Sequence, residues 1–351
     1  MRVSEHVMTA PVRGPGPPHR SWWSRLIRQR SVQLAALGWV VANAVVLATA
    51  DGALPFSWPA VGDRSVLERV LDANLALLQV FLLMGVVLAL TRKRNRPDVA
   101  ARSPGRVVAR RETLLLLGYG VLGLGGGLLL ARSFGWHPFG LHLAGTLYGT
   151  HDHVEPAEAV AWAAYNILVY AVIPLMFFRK RYSTTALNLR SVDRKNDTLV
   201  IVVVLAIESL FQLLVLEPGI FDLSARQLAL GAPLTFLLYL TGAVLPAMVF
   251  LYAILVPRYL RLTGSTASTV ILGGLTYTLL HVWDAWAVFT SPRNTILSII
   301  FLLLTYFGPG MIKTFLTIRT GNAWVHVWAY HALAPHTLQD TAHTVKVFGL
   351  Q

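Results

Sequence analysis

Nine apolar runs dominate this chain, at about 31–50, 70–90, 113–131, 157–178, 198–216, 233–256, 266–288, 295–313 and 322–336. Most approach the roughly 20 residues that a helix needs to cross about 30 Å of hydrocarbon. The chain is 55% hydrophobic and 13% charged, against about 25% charged in ordinary soluble domains, which excludes a soluble enzyme. A transmembrane barrel requires short strands that alternate apolar and polar residues, and runs such as 114–117 and 199–205 do not alternate. The predicted fold is therefore all-α: a polytopic integral membrane helical bundle of about nine transmembrane helices.

The charge pattern orients it. Of 30 Lys and Arg residues, 24 fall on one side if the N-terminus lies inside, and six (Arg64, Arg69, Arg132, Arg226, Arg293 and Lys346) on the other. That asymmetry predicts residence in the cell (plasma) membrane with a cytoplasmic N-terminus and an outer C-terminus. It also accounts for the net charge of +13 without nucleic acid as a partner. The expected organisation is a basic tail with an interfacial helix (1–30, with Trp22 and Trp23), transmembrane helices over 31–178, a cytoplasmic basic loop over 179–197, a transmembrane core over 198–340 and a tail over 341–351. Ala48-Thr49-Ala50 resembles a signal-peptide cleavage pattern, but the length of the first run and Trp39 favour an uncleaved anchor. The absence of cysteine removes disulfides, thiolate nucleophiles and cysteine metal sites together.

Within the third run, Gly118, Gly120 and Gly123 match a dinucleotide fingerprint only formally, since no strand precedes them. With Gly125 to Gly127 they read as sites of close helix packing. His137, His142, His151, Asp152 and His153 read as a solvated loop rather than a metal site, and no cofactor or metal is expected. Ionisable groups at membrane depth carry more information, because each needs a partner or a wet cavity. These are Glu208, His281, Asp284, His326 and His331. His281 and Asp284 share a helical face, so the carboxylate is expected to hold the imidazole's tautomer. His326 and His331, five residues apart, should point about 140° away from each other on an α-helix.

Tyr277-Thr278-Leu279-Leu280-His281, Phe307-Gly308-Pro309-Gly310, the turn from Arg319-Thr320-Gly321 to Trp324, and His331-Ala332-Leu333 follow one another in order. This succession resembles the CPBP family, the membrane-embedded CAAX-protease and bacteriocin-processing relatives. Ala186-Leu187-Asn188-Leu189-Arg190 is similar to the element ahead of that family's core. The resemblance covers about 180–340. Where the family carries Glu-Glu-x-x-x-Arg, this chain has Val249, Phe250 and Ile254; where it carries His-x-x-x-Asn, Pro335 stands at the asparagine.

The resemblance implies a four-helix core in which His281 and His331 converge on a polar cavity, and an endopeptidase acting on a membrane-associated peptide or protein. Such chemistry needs a carboxylate base within reach of a water molecule and donors aimed at the developing oxyanion. Glu208 is the first candidate for the missing acid and Asp284 the second. The alternative is a catalytically inactive relative that serves as a membrane binding, scaffold or immunity protein.

Overall fold

Helix boundaries follow local chemistry in a computed structural model that describes residues 26–56, 64–144, 153–215 and 219–351. The expectations for residues 1–25, including Trp22 and Trp23, and for His151 and Asp152 lie outside the described residues. Ser65 and Glu68 form a capping box that opens the second helix, and Ser224 and Gln227 do the same for the sixth. Each satisfies backbone N–H groups left over at a helix start. The sixth and eighth helices stop at Gly264 and Gly321, whose φ values of 63° and 62° suit glycine at a left-handed C-cap.

The nine helices of the described residues are α1 Arg30–Thr49, α2 Val66–Leu90, α3 Arg106–Ser133, α4 Pro156–Arg179, α5 Arg194–Val215, α6 Ala225–Thr263, α7 Thr266–Leu279, α8 Pro292–Thr320 and α9 over 324–347. Seven are long and apolar enough to cross a membrane; α7, with 14 residues, and α9 are not among them. The chain is a helical membrane bundle. Residues 341–347, expected as tail, continue α9 instead, where Val345 packs against Gly231 of α6.

The interior is organised around α6, whose stretch Met248–Leu255 is entirely buried. Val249, Phe250 and Ile254 are core residues there, and Phe250 meets Tyr170 of α4 edge-on and closely abuts Gly120 of α3. Gly123, Gly126 and Gly127 likewise abut Tyr170, Tyr165 and Phe139, whereas a methyl group placed on Gly118 or Gly125 would meet nothing within 4 Å. Close packing thus accounts for Gly120, Gly123, Gly126 and Gly127 and leaves the other two unexplained.

Several helices widen to π-helical winding next to proline. Ile167–Val172 precedes Pro174, Leu240–Val244 precedes Pro246, Met248–Leu255 precedes Pro257, and Leu333–Leu338 contains Pro335. Proline lacks an N–H and clashes with the carbonyl four residues back; an i→i+5 register moves that carbonyl away.

At the basic end, the loop expected over 179–197 is shortened to 180–193, and it and the first turn of α5 are clamped onto the turn after α8. Arg94 pairs with Asp197 at 2.5 Å and donates to the Thr320 carbonyl at 2.8 Å, while Asn322 and Ser191 donate to Asp197 at 2.9 and 2.6 Å. Arg102 bridges the Asn188 side chain and the Gly321 carbonyl, both at 2.6 Å, and the Asn188 carbonyl accepts from Ala323 N at 2.7 Å. Two motifs far apart in sequence, Leu187-Asn188-Leu189 and Thr320-Gly321-Asn322, thus form one polar joint.

Candidate functional site

Close approach of α7 and α8 creates the site. Gly273 and Gly274 lie against Thr314, Phe307 and Met311, and Gly310 lies against Tyr277, with no room for a Cβ. Tyr277 is thereby set beside Lys313. Around this contact is a cavity of about 140 Å³, walled by Gln79 of α2, Glu208 of α5, Tyr277, Lys313, and His331 and His336 of α9. Arg64, Arg69 and Asp72 also line it, at and before the start of α2. With a rise of about 1.5 Å per residue, the α2 wall from Arg69 to Gln79 extends roughly 15 Å along the helix. The volume is below the ~300–1,000 Å³ of pockets for drug-sized ligands and suits water together with a small polar group.

One wall carries acid. Glu208 is fully buried, with its two oxygens accepting from Gln79 Nε2 at 2.6 Å and Gln212 Nε2 at 2.8 Å. Each carboxylate oxygen retains accepting capacity, since an ionised carboxylate offers about four lone-pair sites. The opposing wall carries donors. Lys313 Nζ donates to the Tyr277 hydroxyl at 2.6 Å, and that hydroxyl is hydrogen-bonded to His331 Nε2 at 3.1 Å. Lys313 also lies 4.0 Å from the Tyr277 ring centre, a cation–π placement.

His281 and His331 approach the same tyrosine, their ring centres 4.4 and 5.9 Å from that of Tyr277. His331 lines the cavity; His281 lies behind Tyr306, stacked on it at 3.9 Å. The expected hold of Asp284 on His281 is corrected: His281 Nδ1 donates to the Tyr277 carbonyl at 2.7 Å. Helix α7 ends at Leu279, so residues 281–284 form turns and the helical-face argument does not apply to them. Asp284 instead accepts from the Tyr306 hydroxyl and from Trp286 Nε1 at 3.3 Å, and lies 3.4 Å from His142 Nδ1. Asp284→Ala is expected to lower stability by about 1–3 kcal/mol, because the buried Tyr306 hydroxyl and Trp286 Nε1 lose their acceptor. Thermal unfolding in detergent measures it, and an unchanged midpoint would show that these contacts contribute nothing.

The separation of His326 and His331 is also corrected. Val327–His331 is π-helical, and the two ring centres are 5.8 Å apart. His336 follows at 5.2 Å from His331, His142 at 5.2 Å from His336, and His281 at 5.0 Å from His142. Five buried imidazoles therefore form a continuous file from Tyr252, beside His326, to Tyr306. His142 is buried rather than loop-exposed, and His137 is engaged by Glu158 at 2.8 Å. Among the described residues, no group of three His, Asp or Glu side chains is arranged to hold a metal ion.

No family model, curated protein or solved structure matches the chain. The site thus rests on its own geometry.

Lys313, Tyr306, His142, His336 and Gln79 are cavity groups that sequence reasoning misses. By sequence Lys313 belongs to a cytoplasmic loop, because a charge at the end of an apolar run looks like a helix terminus. Yet α8 continues to Thr320, and Lys313 is only 2% exposed. The signal that could have found it is the apolar residues on both sides, Met311-Ile312 and Phe315-Leu316.

Proposed function

We propose that this protein is a CPBP-like intramembrane endopeptidase of the cell membrane, with a cytoplasmic N-terminus, that hydrolyses a peptide bond in a membrane-associated peptide or protein. The observation that carries the reading is a buried carboxylate, Glu208, sharing one cavity with Lys313 and with the hydrogen-bonded Tyr277–His331 pair beside it. In this mechanism Glu208 takes a proton from a water molecule as its oxygen attacks the scissile carbonyl carbon. Lys313, which directs one of its three N–H donors at Tyr277, turns another toward the developing oxyanion. The protonated Glu208 returns the proton to the departing amine as the C–N bond breaks. His331 fixes the Tyr277 hydroxyl, and with it the ammonium, in position.

A non-catalytic binding, scaffold or immunity role is the second reading. It is favoured by Val249 and Phe250, core residues where the resembling family has acids, and by Pro335 in place of its asparagine. Incubation of the purified protein with a panel of reporter peptides in proteoliposomes separates the two. Cleavage by the wild type that is lost in His331→Ala supports the peptidase. An inert wild type that captures a membrane peptide, with capture weakened in His331→Ala, supports the second reading.

A further inference from the structure

We propose that a lateral groove between α3 and α4 is a specific site for an anionic phospholipid, independent of the cavity described above. The groove encloses about 560 Å³, within the ~300–1,000 Å³ range of ligand sites. Its walls are Leu115, Leu116 and Tyr119 on one helix and Ile173, Pro174 and Phe177 on the other. Leu115, Ile173 and Phe177 are exposed on the surface of membrane-spanning helices, so the groove opens toward hydrocarbon.

Charge selects the occupant. Arg111 and Arg181 both line the groove, and the two helices run in opposite directions past it. Arg111 precedes Tyr119 by eight residues on α3, and Arg181 follows Ile173 by eight, in the turn that closes α4 two residues past its end. Each wall therefore extends about 12 Å from its arginine, close to one leaflet of a ~30 Å hydrocarbon core. The guanidinium of Arg181 lies 5.1 Å from the Phe177 ring centre, which holds it at this edge. The one acid lining the groove, Glu112, is already matched: Arg258 pairs with it at 2.7 Å and the Tyr182 hydroxyl donates to it at 2.7 Å. Arg111 and Arg181 form no ion pair among the described residues. An apolar slot one leaflet deep beneath two unmatched guanidinium groups fits an acyl chain with a phosphate headgroup that carries net negative charge.

The test is native mass spectrometry of the full chain in detergent, titrated with phosphatidylglycerol or phosphatidylcholine of the same acyl chains. Each basic residue near an anionic headgroup contributes about fivefold in affinity, so phosphatidylglycerol is expected to bind roughly 25-fold more tightly. The double substitution Arg111→Gln with Arg181→Gln should remove that preference. Because both side chains are exposed, the variant should fold, which circular dichroism and a monodisperse elution peak check. Leu115→Trp, which fills the slot and leaves both charges intact, should weaken both lipids. Equal affinity for the two lipids in the wild type, a preference that survives the double substitution, or displacement of the lipid by equimolar inorganic phosphate would each overturn the proposal.

Discussion

Glu208→Gln is expected to reduce peptide cleavage by roughly 100- to 10,000-fold, the usual contribution of a positioned general base. The substitution keeps the size of the side chain and leaves the neighbouring Gln79 and Gln212 in place. It removes the group that can receive a proton from water. Thermal unfolding of the variant should show a small change, since the donor-against-donor contact made by the new amide nitrogen is relieved when Gln212, whose Oε1 has no partner, turns its side-chain amide over. Rates measured on the same reporter peptide, at matched amounts of folded protein, decide the matter. Undiminished cleavage by the glutamine variant would remove Glu208 from the mechanism, whatever the fate of the wider peptidase reading.

Arg94→Ala should destabilise the protein by about 3–5 kcal/mol, the characteristic loss when one member of a buried ion pair is deleted and the other remains. Arg94 and Asp197 have side chains only 2% and 5% exposed, and Arg94 also holds the last carbonyl of α8 at Thr320. Without it, Asp197 keeps only the neutral donors Ser191 and Asn322. Unfolding in detergent, followed by circular dichroism, should give a lowered midpoint. The double variant Arg94→Ala with Asp197→Ala should recover part of the loss, since no charge is then stranded. Equal midpoints for wild type and Arg94→Ala would mean that the joint is held by its other contacts alone.

The membrane makes the fold legible. Hydrocarbon forces each crossing into a helix that satisfies its own backbone, so nine apolar runs foretell nine helices, and Ser65, Ser224, Gly264 and Gly321 mark their ends by ordinary capping chemistry. The site is legible only in part. Glu208 and His331 stand out as ionisable groups within apolar sequence, and both line the cavity. Two features conceal the rest. A lysine at the close of an apolar run looks like a loop residue, although Lys313 sits inside α8. A histidine in a connector looks solvated, although His142 folds inward onto Tyr306 at 3.0 Å. Both depend on tertiary burial, which hydropathy along one segment does not register.

Uniform 3.6-residue winding is the third expectation to fail, and the failure has a genetic corollary. A π turn amounts to an α-helix bearing one extra residue, so the alignment of His326, His331 and His336 depends on chain length as much as on residue identity. Losing a single codon between two of these histidines would rotate one imidazole out of line while preserving all three. In this part of the chain, an in-frame deletion can erase what no point substitution at the remaining positions reproduces.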